Sequence, residues 1–286
     1  MKVLVIGAGL VGTEVGARLR ALGHEVAGTT TTPGKVDGLR EQFDEVLVLR
    51  GSDRDAVRAA MAGRDAVVVA AGPNAQRAMT PEDRAASYRE ILVDTAESVV
   101  AAEGSPYVVA LSSLSVYGDA ANHLDEVAED SPVTDSQDAS PRCFLAMEAT
   151  YVSGAGDRVC VFRCGDVFGE GDPPIEAKVA MAHQYLGGSV PFSGDALFYR
   201  LYVEDAADAI VHALDQRLTG LFNLTHPEVP PTNKALFDSV GAAQDLPALV
   251  YRDEIAAPTR PISVAKLETA GFTASRSFDQ SYAALV

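Results

Sequence analysis

Cysteine is scarce in this chain, and the three present, Cys143, Cys160 and Cys164, form no C-x-x-C pair and have no histidine cluster beside them. That argues against a disulfide scaffold and against a structural zinc site. Cys160 and Cys164 flank Arg163 in a run that reads as a buried strand, where cysteine acts as a small hydrophobe. Long apolar runs are missing too: nothing approaches the roughly 18 consecutive apolar residues of a membrane-spanning helix. The opening "MKVLVIGAG" is apolar but short, breaks at glycines and is followed by no small-residue cleavage site, so no secretion signal and a cytoplasmic location are expected. Cations are outnumbered, with 23 Lys and Arg against 40 Asp and Glu, for a net charge of -17. Such a surface repels nucleic-acid phosphates and anionic lipid alike. The five histidines are scattered without metal-ligand or triad spacing, and no metal is expected. There is no internal repeat and no low-complexity linker.

What is present is an ordinary globular balance, 47% hydrophobic and 22% charged, in 286 residues. Short β-branched runs, "KVLVIG", "EVAGTT", "EVLVLRG", "DAVVVAAG", "YVVALSS" and "RVCVFRCG", alternate with helical patterns near 10–22, 53–62, 81–103 and 141–153. The strands lack a polar face, as a parallel sheet covered by helices on both sides requires. The expected fold is therefore α/β, a doubly wound parallel sheet of the Rossmann kind. From about residue 170 the rhythm changes, through the turn-rich "EGDPPIEAK" to a helix near 175–187, a strand in "ALFYRLYV", the helix "EDAADAIVHALD" and the strand "GLFNLTH". Residues 1–170 are expected to form the dinucleotide-binding domain, which may recruit later strands, and 171–286 a smaller C-terminal substrate lobe.

"GAGLVG" supplies Gly7, Gly9 and Gly12 in G-x-G-x-x-G spacing directly after the first strand, with Leu10 and Val11 opening the helix between them. Gly7 permits the tight turn, Gly9 lets a pyrophosphate approach the backbone, and Gly12 lets helix and strand pack closely. The helix start then offers unpaired N–H groups to phosphate. A cofactor site selective for NAD would carry a carboxylate at the end of the second strand to hold the ribose 2′-hydroxyl. Here that place reads "GTTTTPGK", so the hydroxyls of Thr29, Thr30 and Thr31 and the ammonium of Lys35 are candidates for a 2′-phosphate. NADP(H) is favoured over NAD(H), although arginine, the better phosphate fork, is absent from the loop. Asp53 is read either as an acceptor for the adenine amine or as the N-cap of its helix.

"ALSSLSVYGD" at 110–119, "FRCGDVFGEGD", "LYVEDAADAI" and "GLFNLTH", together with the glycine motif, resemble the extended short-chain dehydrogenase/reductase superfamily of NAD-dependent epimerases and dehydratases. The resemblance spans nearly the whole chain. It implies that Ser113 stands at the catalytic serine position and that Ala70, Ala71 and Gly72 line the nicotinamide ribose. It also implies a Tyr and, four residues on, a Lys at the start of the helix "ASPRCFLAME". Counting back from Glu148, those places hold Ser140 and Phe144, so the pair is missing, as in the superfamily's atypical members. Without it the stretch still reads as a helix, with Ser140 as N-cap, Pro141 first and Phe144, Leu145 and Met147 turned inward. An arginine for nucleotide phosphates, expected five residues before Val203, is replaced by Phe198, with Arg200 nearer the strand end.

Tyr117 is read as a hydroxyl presented to the cleft or as a packing residue; with Ser113 it makes the catalytic candidates. The leading expectation is an NADP(H)-dependent oxidoreductase acting on a small carbonyl or hydroxyl compound. A non-catalytic NADP(H)-sensing regulator and a non-redox epimerase or dehydratase-type enzyme are the rivals. Oligomeric state is open.

Overall fold

The protein is described by a computed structural model over residues 1–73, 80–104, 106–170 and 172–276. The chain runs β1 (Lys2–Ile6), α1 (Leu10–Ala21), β2 (Glu25–Thr30), α2 (Val36–Leu39), β3 (Glu45–Val48), α3 (Arg54–Met61), β4 (Ala66–Val69) and α4 (Pro81–Tyr88). A π-helical turn, Arg89–Asp94, joins α4 to α5 (Thr95–Val100), and β5 (Tyr107–Ser113), α6 (Ala139–Ala155), β6 (Val159–Cys164) and β7 (Asp166–Phe168) follow. The last part contains α7 (Ile175–Leu186), β8 (Ser189–Phe192), β9 (Arg200–Tyr202), α8 (Val203–Gln216), β10 (Gly220–Leu224), α9 (Asn233–Ala243), β11 (Val250–Ile255) and α10 (Ala265–Thr269).

All six apolar runs are strands, and with β10 they form a seven-stranded sheet in the order β10-β6-β5-β4-β1-β2-β3. The pairings from β3 through β2, β1 and β4 to β5 are parallel. This is the doubly wound α/β arrangement that continuous, two-sided hydrophobicity predicts. Val3, Leu4 and Val5 have no exposure at all, and each such side chain contributes about 1.5–3 kcal/mol by leaving water. Leu4, Ile6, Val67, Val69, Val108 and Ala110 share one packed core with the inward faces of α3, α5 and α6.

Two compact units divide the chain, and they interleave. The first comprises Met1–Ser113, Ser136–Arg163 and Val203–Phe222, and the second Leu114–Asp135, Cys164–Tyr202 and the described residues from Asn223 onward. A single cut near residue 170 is thus replaced by crossovers. The physical reason is that α8 packs on α1, with Arg18 Nη1 2.8 Å from Asp208 Oδ1, and that β10 adds to the sheet beside β6. Within the second unit β8 pairs with β11 and β7 with β9, and α7 and α9 bury Val179, Leu236, Phe237 and Val240 together.

The helix "ASPRCFLAME" begins two residues earlier than its sequence suggests. Asp138, not Ser140, is the N-cap: its Oδ1 accepts the Ser140 N–H at 2.9 Å. An aspartate carboxylate satisfies that orphan donor better than a hydroxyl, and it is held by Arg84 from α4 at 2.7 and 3.3 Å. Cys143 and Met147 are buried, whereas Phe144 and Leu145 are only half-buried. All three cysteines are buried, and burial pushes the Cys164 thiol up to about 12.

Candidate dinucleotide and catalytic site

The glycine loop closes the first unit's β1–α1 turn. Gly7 adopts φ +97°, a conformation few other residues tolerate, and a Cβ there would lie 2.6 Å from the Ala71 backbone. Its N–H donates to Thr29 Oγ1 at 3.0 Å, and the next N–H, of Ala8, donates to the Thr29 carbonyl at 2.8 Å. Gly12 has no room either, since a Cβ would meet the Gly7 carbonyl oxygen at 2.0 Å. Gly9 differs: nothing lies within 4 Å of the place its Cβ would take. It caps α1 without any side-chain hydrogen bond, and no acidic residue stands in the first turn, where Leu10 is exposed and Val11 buried. Two glycines therefore build the turn, and the third leaves open space against a helix N-terminus. That is the shape and polarity a pyrophosphate requires.

At the end of β2 the four threonines separate. Thr29 is only 2% exposed and braces the glycine turn, its oxygen accepting the Gly7 N–H, and this burial sets it behind the turn rather than on a phosphate. Thr30 Oγ1 accepts the N–H of Thr32 at 3.1 Å, which fixes the hydroxyl's acceptor side and leaves its hydrogen to donate. Thr31 and Lys35 are exposed on the following turn. Asp53 caps α3 by accepting the Ala56 N–H at 3.0 Å. Ala70 and Ala71 are half-buried at the end of β4, with the Ala70 N–H donating to Ile6 at 2.9 Å, and Gly72 is exposed with open space around its Cα.

Ser113 ends β5 half-buried. Its neighbour Ser112 donates to Glu148 Oε1 at 2.6 Å, and Glu148 is gripped by Arg163 through Nε at 3.0 Å and Nη2 at 2.7 Å. This buried network ties the end of β5 to α6 and β6. Glu148 and Arg163 each read as isolated residues in the sequence; only the fold pairs them.

Tyr117 is the larger correction. It has no exposure, and within the second unit its hydroxyl donates to Asn223 Oδ1 at 2.6 Å. Asn223 in turn donates its N–H to Glu129 at 2.7 Å and its Nδ2 to the Ser263 carbonyl at 3.0 Å. The phenol is bound in an interior network rather than presented for proton transfer. Phe198 packs against Phe237 with ring centroids 5.3 Å apart, and the Arg200 guanidinium lies 3.5 Å over the Phe168 ring. Among the described residues no three His, Cys, Asp or Glu side chains gather as metal ligands, and no helix is long and apolar enough to cross a membrane.

These features define a dinucleotide-binding α/β protein. A model of the NAD dependent epimerase/dehydratase family matches residues 3–224. The protein YeeZ of Escherichia coli K12 is 27% identical over 241 residues, covering 81% of this chain and 80% of that protein. A 3-diazoavenalumate denitrifying reductase of a Streptomyces species is 28% identical over 244 residues, covering 81% and 78%. Among solved structures, MoeE5 in complex with UDP-glucuronic acid and NAD superposes with a TM-score of 0.76 at 21% identity, over 99% of this chain and 97% of that one, a likeness of fold. The chain belongs to the NAD-dependent epimerase/dehydratase family of the extended short-chain dehydrogenase/reductase superfamily, and is an NAD(P)-dependent oxidoreductase or epimerase-like enzyme.

Proposed function

We propose that the protein is an NADP(H)-dependent oxidoreductase of the atypical extended short-chain type, acting on a small carbonyl or hydroxyl compound. The observation that carries the reading is the pairing of an open, uncapped glycine turn with a β2 loop of hydroxyls and one lysine that lacks a carboxylate. Gly7, Gly9 and Gly12, with the first N–H groups of α1 at Leu10 and Val11, hold the pyrophosphate. Thr30, Thr31 and Lys35 hold the 2′-phosphate, with Thr29 bracing from behind. Asp53 offers its second carboxylate oxygen to the adenine amine, and Ala70, Ala71 and Gly72 flank the nicotinamide ribose. When bound, the cofactor supplies a hydride. Ser113 donates a hydrogen bond to the substrate oxygen as charge develops there, a contribution of the oxyanion kind. The reductase among the relatives supports this class of reaction, and the net charge of -17 disfavours nucleic acid as a partner.

Incubation with NADPH and a panel of small aldehydes and ketones, followed by cofactor absorbance and product mass, tests the reading. Net NADPH consumption matched to a product heavier by two hydrogens is expected. A rearranged product with cofactor unconsumed would instead assign the epimerase or dehydratase class that the family name allows.

A further inference from the structure

The turn after β2 lacks an arginine, the side chain best shaped to grip a phosphate with two N–H groups at once. The neighbouring strand supplies one. β3 runs parallel to β2 with Val48 opposite Thr30, and the Leu49 N–H donates to the Thr30 carbonyl at 3.0 Å. Arg50 is the next residue, so its backbone leaves the sheet beside the turn at Thr31, about one strand spacing, or 4.8 Å, away. An arginine side chain is longer than that gap. Both strands end at the carboxyl edge of the first unit's sheet, where folds of this kind bind their ligands.

Three contacts hold the arginine there. Glu90, on the π-helical turn Arg89–Asp94, accepts Arg50 Nη1 at 3.1 Å and Ser52 Oγ at 3.1 Å through the same oxygen. The Asp53 N–H donates to the Arg50 carbonyl at 3.1 Å. Gly51 packs so closely that a Cβ would lie 2.3 Å from Thr95 Oγ1. The turn is thus anchored while the Arg50 side chain stays 67% exposed. Among the described residues its guanidinium is engaged through Nη1, which leaves the Nε and Nη2 edge for an incoming acceptor. That edge matches two oxygens of a phosphate, whereas a surface ion pair by itself adds little to folding.

We infer that Arg50 is the fork that reads the 2′-phosphate of NADP(H), with Glu90 and Ser52 setting its orientation and Thr30, Thr31 and Lys35 completing the cradle. The inference rests on the NADP(H) reading above. It moves the main determinant of cofactor choice from the β2 turn, where the sequence offers one lysine, to the end of β3. The chain's net charge of -17 opposes a phosphate dianion, so local cations must outweigh it, and Arg50 adds the second one.

Calorimetry on the full chain with NADPH and with NADH, for the unmodified protein, Arg50→Ala and Arg50→Lys, tests the inference. Arg50→Ala should weaken NADPH by about 10–100-fold, the usual worth of a hydrogen bond to a charged group, and leave NADH within about twofold. Arg50→Lys should recover only part of the loss, because an ammonium is a point charge without the fork. Phosphorus NMR of bound NADPH gives a second readout: the 2′-phosphate resonance should move in Arg50→Ala while the pyrophosphate resonances hold. NADPH bound no more tightly than NADH by the unmodified chain would sink the cofactor reading and this inference with it. A preference for NADPH that survives Arg50→Ala, or an equal loss of both cofactors, would overturn this inference alone.

Discussion

Arg163 holds Glu148 by two nitrogens, Nε 3.0 Å from Oε1 and Nη2 2.7 Å from Oε2, with both side chains almost wholly buried. Removing one partner strands an uncompensated charge in the core, a loss of about 3–5 kcal/mol. Arg163→Met is thus expected to destabilise strongly and Ser112→Ala by about 1 kcal/mol, the net value of one hydrogen bond. Urea unfolding of the two variants checks the order; equal midpoints would show that the pair is not a structural tie.

The three motif glycines separate by function. A side chain at Gly12 must displace the Gly7 carbonyl, 2.0 Å from its Cβ, so Gly12→Ala should lower thermal stability. A Cβ at Gly9 has no protein atom within 4 Å, so Gly9→Val should fold yet lose dinucleotide binding, because the added atoms fill the pyrophosphate's place. Melting curves with and without NADPH distinguish the two; a Gly9→Val protein that is still stabilised by cofactor would refute the assignment.

Tyr117→Phe leaves Asn223 Oδ1 without its donor in a fully buried site. The expected cost is about 1–3 kcal/mol of stability, with turnover per folded molecule unchanged. A large loss of turnover at unchanged stability would return Tyr117 to the catalytic set.

The Arg84 and Asp138 contact carries a pH signature. Burial raises the Asp138 carboxyl, but the Arg84 hydrogen bond and charge and the N–H groups of Ser140 and Ala139 outweigh it, and the net shift is downward. A carboxylate depressed in the folded state adds stability above its unfolded value, about 3.9, and loses it as pH falls through the folded value. The advantage of the native chain over Asp138→Asn should therefore be full near neutrality and shrink in acid below about pH 4. The group is more than a third exposed, so solvent screening keeps the effect small. Acid titration of unfolding for both proteins measures it, and a constant difference across pH would contradict the sign.

The sheet was legible because β1, β4, β5 and β6 are buried on both faces and read as unbroken apolar runs. β11, "VYRDEI", is an exposed strand with no such run, and its pairing with β8 comes from the fold alone. The glycine turn was legible down to single residues, since its chemistry is local. Asp138 and Tyr117 were not, because their partners, Arg84 and Asn223, lie 54 and 106 residues away in the chain. The π-helical turn leaves no periodic trace in "REILVD", a segment that packs against α6. Thr29 misled for the opposite reason: its hydroxyl matched a ligand's needs, but the side chain is buried against the glycine turn.

Cofactor choice is the measurement closest to the central claim. The β2 loop offers Thr30, Thr31 and Lys35 and no carboxylate, so isothermal calorimetry should find NADPH bound at least about tenfold more tightly than NADH, the size of one charge-assisted hydrogen bond. Lys35→Ala should narrow that ratio by weakening NADPH alone. NADH binding as tightly as NADPH, or a ratio untouched by Lys35→Ala, would contradict the account.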